Sequence, residues 1–343
     1  MRIKRLHSSE WTEALPDRGT EPFHTGAALE TIERHVPGTV HLVGGFKGDE
    51  PVGLLPIHER RKLGARILTS PPLGLGIGRL GPLVMSNSPK QRKQERTNRR
   101  FVQAALDELD ATNPRTLLRL ACAPEYSDPR PFQWNGFSVQ PAFTYRLSLA
   151  DTDTETVLND FTRDLRREIG KEDEAEFSIE RGEMTDVRRI YDSVKARHRD
   201  QDHRYPLPWE FVRDLVDALD EQVRVYVARA DGEFVAGTIV LYSAETAYFW
   251  KGGTKTDHTI SPNSLLHWRI ITDVLEDPEL SEIDAYDLYT ANNERLAEYK
   301  SKLGGSPQPY FIVESGGPAM TAAKGIYRMA AFGKNPLGES GQL

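Results

Sequence analysis

Three glycines in the segment SPPLGLGIGRLGPLV, residues 70–84, have the spacing of a loop that could hold a dinucleotide pyrophosphate. Gly76, Gly78 and Gly81 match the pattern G-x-G-x-x-G. Such a loop works when it joins a strand to a helix that begins at the third glycine, because the helix N–H groups then face the phosphates. Here the following residues, PLV, continue an extended chain. We therefore predict that these glycines permit a bulge or a close backbone approach.

A carboxyl group, that of Asp287, stands inside the apolar strand-like segment AYDLY. Burying an ionised group is costly unless it is paired or hydrogen-bonded. Asp287 is therefore either a general base with a raised pKa or a carboxylate held by structural hydrogen bonds, and the sequence favours neither.

A predicted helix from Asn263 to Asp277 begins with residues suited to holding an anion. Pro262 fits the first turn, and Asn263 and Ser264 are polar. The N–H groups and the dipole at this end could bind a donor phosphate. The same residues would also serve as an ordinary helix cap.

A strongly basic run, KQRKQERTNRR, covers residues 90–100 and has Glu95 as its only acid. It could contact the phosphates of tRNA or of a nucleotide, and its binding would then be sensitive to salt. Because no aromatic side chains are interleaved with the cations, a solvated helix face is the alternative.

A possible metal site is suggested by KARHRDQDHRY, in which His198 and His203 flank Asp200 and Asp202. The segment lacks the H-E-x-x-H spacing that places two histidines on one helix face, and it is polar throughout. We therefore predict no metal ligand here.

The bulk composition limits the class of protein. The chain has 343 residues and a formal net charge of −7, enough for two domains and too acidic for a surface built throughout to bind nucleic acid. The sequence has no apolar run of membrane-spanning length and no export signal, so we expect a cytoplasmic protein without membrane insertion. Its one cysteine, Cys122, fits a reducing compartment and a buried site.

The two halves of the chain repeat one order of elements. GFSVQPAF at 136–143 recurs as GGSPQPYF at 304–311, and each half has an apolar hairpin upstream, with the polar turns KGDE and ADGE. A helix follows each hairpin, and then come a strand, a short helix and a last strand. Two copies of this length indicate duplicated domains.

The order of these segments resembles the GNAT acyltransferase fold, and in particular its FemABX branch of acyl and aminoacyl transferases. The matching segments are PFHTGAALETIERH, VGLLPI, RILTSPPLGLGIGRLGPLV, FTRDLRREIGK, SPNSLLHWRII, YDLY and LAEYKSKLGG. The resemblance implies an α+β fold of two tandem GNAT-like domains, each a mixed, mainly antiparallel sheet flanked by helices. The expected domains are residues 1–149 and 150–316, followed by a C-terminal helix and tail at 317–343.

The resemblance also implies a transfer site in the second domain. Two parallel strands, YFWKG and AYDLY, would part beside the helix at Asn263 and expose backbone N–H groups to an acyl carbonyl. LAEYKSKLGG resembles the family's Phe-Lys-x-x-Phe-Gly element, and the counterpart of Lys300 faces the reaction channel. Lys300 could there bind a phosphate or stabilise negative charge in the transition state. The alternative is an exposed lysine like Lys302.

Further donor and acceptor contacts follow from the same resemblance. Lys251 and Tyr248 would line the cleft and bind the donor together with Asn263 and Ser264, although a snorkelling lysine and a core tyrosine are the alternatives. Four residues would bind an acidic or phosphorylated acceptor in a groove between the domains, unless they belong to solvated faces. They are Arg166, Arg167, Arg199 and His203.

Two departures from the family leave the donor open. The coenzyme A signature of GNAT proteins is missing from TKTDHTISPNS, and no long charged helical arm for tRNA is visible. We expect acyl or aminoacyl transfer from acyl-CoA or aminoacyl-tRNA to an amine acceptor, with no permanently bound cofactor and no metal. Composition does not indicate tRNA. The alternative function is a catalytically silent duplicated scaffold that binds an acidic or phosphorylated ligand.

Overall fold

A computed structural model describes residues 1–62, 64–86, 88–253 and 258–317. The chain divides into two compact units. The first contains Met1–Ala142, Pro206–Phe211 and the described residues from Pro309 onward, and the second contains Phe143–Tyr205 and Val212–Gln308. The predicted C-terminal helix lies outside the described residues.

The first half of the chain is a mainly antiparallel sheet with helices. Its elements are β1 (Arg2–Leu6), α1 (Ser8–Ala14), α2 (Gly26–His35), β2 (Thr39–Lys47), β3 (Glu50–Lys62), β4 (Ala65–Ser70), β5 (Leu83–Val84), α3 (Gln91–Glu108), β6 (Thr116–Ala121), α4 (Arg130–Trp134) and β7 (Ser138–Ser148). Strands β1 to β4 pair antiparallel in chain order, β5 pairs with β3, and β6 pairs parallel to β4.

The second half repeats this arrangement. Its elements are α5 (Thr154–Asp160), α6 (Arg163–Ile169), β8 (Ser178–Arg181), α7 (Met184–Asp200), α8 (Trp209–Leu219), β9 (Val223–Ala230), β10 (Glu233–Tyr242), β11 (Thr246–Gly252), α9 (Pro262–Glu276), β12 (Ala285–Thr290), α10 (Glu294–Ser301) and β13 (Ser306–Glu314). Strands β8 to β11 pair antiparallel in chain order, and β12 pairs parallel to β11. The predicted duplication is confirmed.

Each unit is completed by the last strand of the other half of the chain. The second part of β7 pairs with β12 in the second unit, where Ala285 is opposite Ser148. The second part of β13 pairs with β6 in the first unit, where Ile312 is opposite Ala121. The repeat alone predicted a last strand for each half but not this exchange.

Both hairpins turn where the sequence predicted. Gly48 has a φ of +67°, and Asp231 and Gly232 have φ values of +50° and +81°. These left-handed conformations match the right-handed twist of the flanking strands.

The core of the first unit forms where α3 packs on the sheet. Phe101 of α3 is fully buried against Gly45 and Gly53, which are opposite each other on β2 and β3. A Cβ on Gly53 would lie 2.4 Å from the Phe101 ring. The two glycines therefore provide the space for an aromatic side chain, and α3 can approach the strands closely.

The glycine segment of the first half lies beside the parallel pair β4 and β6. Leu80 forms a parallel bridge with Cys122, and its N–H donates to Ala121 O. Gly81 has a φ of +66°, and its N–H donates to Ser70 Oγ at 3.0 Å. A Cβ on Gly81 would lie 2.7 Å from Cys122 Cα. The predicted close backbone approach is confirmed, and the next element is a strand rather than the helix of a phosphate loop.

A buried ion pair fixes the same segment. Arg79 Nε lies 2.8 Å from Glu21 Oε1, with the two side chains only 2% and 1% exposed. The Arg79 guanidinium also lies 5.5 Å from the centre of the Tyr310 ring. Nearby, burial lowers the pKa of His24 to about 4. Removing one partner of such a pair would leave an uncompensated buried charge and is therefore strongly destabilising.

We expect Gly81→Ala to destabilise the first unit by about 3 kcal/mol, because it combines left-handed strain with a backbone clash. Gly48→Ala is the matched control, since Gly48 has nearly the same φ and no heavy atom lies within 4 Å of the position that its Cβ would take. The control should lose about 1 kcal/mol. Urea denaturation measures both, and equal losses would show that the approach to Cys122 imposes no constraint.

Candidate active site

The parallel strands of the second unit separate after three rungs. Their last pair is Tyr248 and Asp287, and the register begins at Thr246 and Ala285. Beyond this point β11 pairs with β10 through a bulge, and β12 pairs with β7 after a register shift. The gap that the resemblance implied is therefore present beside α9.

The first unit differs at the equivalent place. There β4 pairs with β6 through five rungs, from Arg66 opposite Thr116 to Ser70 opposite Leu120 at the end of β4. The bridge between Leu80 and Cys122 then extends the contact beyond the end of β4. The glycine segment thus occupies the position at which the second unit has its gap, so the candidate site belongs to the second unit.

A buried lysine lies at the end of the gap. Lys300 on α10 is 7% exposed, and its Nζ donates to Thr290 O at 2.5 Å, where β12 ends. Lys302, two residues further on, is exposed. The alternative of an exposed lysine is therefore wrong for Lys300, which the fold holds at the position where the two strands have parted.

A histidine that the sequence did not single out lies close enough to Lys300 to be affected by its charge. His267 on α9 is 4% exposed, and its Nδ1 lies 2.8 Å from the hydroxyl oxygen of Tyr286. Its ring centre is 4.8 Å from that of Phe249 and 6.1 Å from that of Tyr299. Burial, followed by the charge of Lys300, lowers the pKa of His267 to about 3. The imidazole is therefore neutral at pH 7 and leaves the cationic charge to Lys300.

Asp287 is held by hydrogen bonds at the point where β12 bends. The carboxylate is fully buried, and Oδ1 accepts from Thr144 Oγ1 at 2.6 Å and from Tyr289 N–H at 2.7 Å. Arg146 Nε lies 3.8 Å from Oδ2. Tyr289 has a φ of +66°, which costs energy for a non-glycine residue. These contacts fit the second alternative for Asp287, a carboxylate held by structural hydrogen bonds.

The N-terminus of α9 is occupied by a carboxylate from the chain itself. Glu168 on α6 accepts from Ser261 N–H at 2.5 Å and from Ser264 Oγ at 2.8 Å. Ser264, predicted to bind the donor, is thus a partner of Glu168. Burial and, second, the negative charge of Glu168 raise the pKa of Tyr299. The charge of Glu168 is therefore felt at Tyr299 as well as at the N-terminus of α9.

The remaining predicted donor contacts lie on and beside β11. Tyr248 is buried at the last rung of the parallel pair, and Asn263 is half-buried with its Oδ1 3.5 Å from the position of a Cβ on Gly253. Lys251 Nζ lies 5.6 Å from the centre of the Trp250 ring. Burial, followed by the charge of Arg197, lowers the pKa of Lys251 to about 8.

The predicted acceptor residues lie on two separate elements. Arg166 and Arg167 are on α6, where Arg166 contacts Asn159 at 3.4 Å. Arg199 is exposed near the end of α7, 3.9 Å from Asp200, and His203 follows that helix, with its N–H donating to His198 O. A neighbouring cation on α7, Arg197, donates to Gly253 O, one residue beyond the end of β11. A shift of two residues on a helix changes the direction of a side chain, which the charge run alone does not define.

Comparison with known proteins agrees with this fold. Residues 159–301 match the family model of the acetyltransferase (GNAT) domain. No curated protein matches the sequence. The crystal structure of FemX is similar with a TM-score of 0.64 and 11% identity, over 91% of this chain and 97% of that one.

Two other solved structures have the same architecture. The C-terminal domain of a putative lysylphosphatidylglycerol synthetase from Agrobacterium fabrum has a TM-score of 0.60 and 14% identity, over 97% of this chain and 98% of that one. A tandem GNAT protein from the clavulanic acid biosynthesis pathway has a TM-score of 0.51 and 15% identity, over 92% and 99%. The predicted α+β fold of tandem GNAT-like domains is confirmed. In the described part of the chain, no helix has both the length and the apolar character needed to cross a bilayer.

Proposed function

We propose, from the premise that this chain is a FemABX-like member of the GNAT acyltransferase superfamily, that it transfers an aminoacyl group from aminoacyl-tRNA to an amine. The observation that carries the proposal is the gap between β11 and β12, with the buried Lys300 at its end. A carbonyl group placed in this gap would meet backbone N–H groups that have left the sheet ladder.

The chemistry follows from these parts. The amine nitrogen attacks the ester carbonyl carbon, a C–N bond forms, and the C–O bond to the ribose breaks, while the proton lost by the amine leaves with the ribose oxygen. Negative charge develops on the carbonyl oxygen, and preorganised donors stabilise it in a site that excludes water. Lys300 supplies the cation for this purpose. The neutral His267 beside it packs against the aromatic walls and does not compete for the charge.

Glu168 supports an aminoacyl donor over acyl-CoA. Its carboxylate accepts hydrogen bonds at the end of α9, where GNAT-type helix ends would attract a pyrophosphate. A second anion at this place would meet like charge. An aminoacyl ester instead carries an α-ammonium, which a carboxylate attracts. The name of one neighbour, a putative lysylphosphatidylglycerol synthetase, also points to an aminoacyl group.

The test of function uses a surrogate amine because the natural acceptor is not assigned. Hydroxylamine is supplied with either a mixture of labelled aminoacyl-tRNAs or acetyl-CoA, and hydroxamate formation above the uncatalysed rate is measured. We expect turnover with the aminoacyl ester. Turnover with acetyl-CoA alone would contradict the donor assignment, and the absence of turnover with both would favour a binding module.

We expect Glu168→Gln to increase the affinity for coenzyme A about tenfold, because it removes a negative charge that disfavours a pyrophosphate while it keeps the size and shape of the side chain. Asp164→Asn is the matched control, since Asp164 is exposed on the same helix α6 and the charge change is equal. Isothermal titration with coenzyme A measures both variants. If the two variants gain affinity equally, Glu168 does not select the donor.

A further inference from the structure

The first unit has an open cavity of about 780 Å³ between the turn of β2 and β3 and the first half of α3. Six cationic side chains line it: Arg2, Lys47, Lys90, Lys93, Arg96 and Arg100. The volume lies in the range of ligand-binding clefts in proteins. No step of the proposed transfer reaction uses this cavity, so the transfer reaction does not account for its concentration of positive charge.

The charge of the cavity comes mainly from one face of α3. Lys90 precedes the helix, and Lys93, Arg96 and Arg100 follow along it. At 1.5 Å per residue, this stripe is about 15 Å long. Among the residues that the structure describes, these four cations have no ion-pair partner, and Glu95, the only acid in the run, is 3.2 Å from Arg130 outside the cavity.

The opposite wall is close to electrically balanced. Arg2 lies 3.1 Å from Asp49, and Lys47 stands beside Glu50 in the same hairpin. The four cations of the α3 stripe therefore set the sign of the cavity. Like charges gathered on one helix face repel each other, and a bound anion relieves this repulsion.

The length of the stripe distinguishes between possible anions. A single phosphate would contact one or two of the cations, whereas a chain of phosphates would contact successive ones along the helix. The one aromatic side chain in the lining, Phe46, has Lys4 Nζ and the Arg2 guanidinium within 5.8 Å of its ring centre. The cavity therefore has the chemistry to hold a backbone and no aromatic platform for stacked bases.

We propose that this cavity, the α3 cavity, binds the phosphate backbone of RNA, the carrier of the donor. The identity of the RNA rests on the proposed function. The net charge of −7 gives the whole protein no general attraction for nucleic acid, so a local basic cavity would also orient the RNA on the surface. Binding is independent of sequence because only phosphates are contacted.

The experiment measures the binding of deacylated tRNA, which cannot transfer anything, at several salt concentrations. We expect the double variant Lys93→Glu and Arg96→Glu to lose at least tenfold in affinity. The slope of log affinity against log salt concentration should fall by about two, because about two fewer ions are released on binding. The matched control is Arg92→Glu with Arg99→Glu, which makes the same charge change on the same helix but outside the cavity lining. All four side chains are exposed, so folding is preserved.

Three outcomes would overturn the proposal. The first is that the wild-type protein does not bind tRNA at low salt. The second is that the two double variants lose the same amount of affinity for tRNA. If inorganic pyrophosphate or a nucleoside diphosphate competes at concentrations similar to those of tRNA nucleotides, the ligand is a small phosphorylated molecule rather than RNA. The proposed function is judged separately, by hydroxamate formation from aminoacyl-tRNA.

Discussion

Replacing Lys300 with methionine is expected to lower kcat for aminoacyl transfer by about 100- to 1000-fold, the usual loss when one donor to a developing oxyanion is removed. Methionine fills a similar buried volume and has no charge. Because the proposed role of Lys300 is to stabilise charge that develops in the transition state, kcat and kcat/KM should fall together while KM changes little.

Lys302→Met is the control for this variant, since Lys302 lies on the same turn and is exposed. It should retain wild-type turnover. Lys300→Met also loses the hydrogen bond to Thr290 O, so we expect about 1–3 kcal/mol of destabilisation, and rates are compared well below the unfolding temperature. If Lys300→Met keeps more than a tenth of the activity, Lys300 has no part in the chemistry.

Lowering the pH from 7 to 4.5 is expected to reduce the free energy of unfolding by about 2.5 kcal/mol for each of two buried histidines. The folded-state pKa is about 4 for His24 and about 3 for His267, whereas both have a pKa near 6.5 when unfolded. A lowered histidine pKa means that the unfolded chain binds the proton first. The stabilisation is therefore complete above pH 6.5 and is lost as the pH falls toward the folded-state values.

The geometry gives this loss a local cause. His24 Nδ1 accepts a hydrogen bond from Glu21 N–H, and its Nε2 lies 3.1 Å from Leu80 O, so a second proton would break the first contact. Glu59 adds little in this window, since its hydrogen bond with Arg66 lowers its pKa to about 2 and its effect begins near pH 4.5, the ordinary pKa of the group.

Denaturant titrations between pH 7 and 4.5 measure this dependence. His24→Gln and His267→Gln should each remove roughly one proton from the number taken up on unfolding of the affected unit. The free energy of unfolding should therefore depend less steeply on pH in each variant. His7→Gln is the control, because His7 is exposed. A stability that stays constant over this range would contradict the expectation for both histidines.

The sequence predicted the parts of the fold that repeat and the parts that follow from local geometry. The hairpins, the duplicated order of elements and the helix beginning near Asn263 all have periodic or turn signals, and the close approach at Gly81 followed from the absence of a helix after it. The sequence could not show the hydrogen bonds of Asp287, since one of them comes from Thr144, which is distant in the chain.

Two features of the candidate site had weaker signals. His267 lies within an apolar helix, beside Leu266, Ile270 and Val274. A single polar residue among apolar ones was the only sequence signal that this part of α9 lines a site. The contact of Glu168 with Ser261 and Ser264 joins elements about 90 residues apart, at a separation of 96 for Ser264, and no local pattern encodes such a pairing. Tertiary packing alone determines which carboxylate reaches a helix end.

The exchange of last strands has a consequence for the biosynthesis of this protein. Leu118 N–H in β6 donates to Ser315 Oγ across a separation of 197 residues. At roughly 5–20 residues per second, a ribosome needs about 10–40 s to make that stretch. During this interval the nascent sheet of the first unit has β6 as an open edge, and strand edges of this kind attract other chains. The nascent chain is therefore prone to aggregate through the edge of β6 until β13 has left the ribosomal exit tunnel.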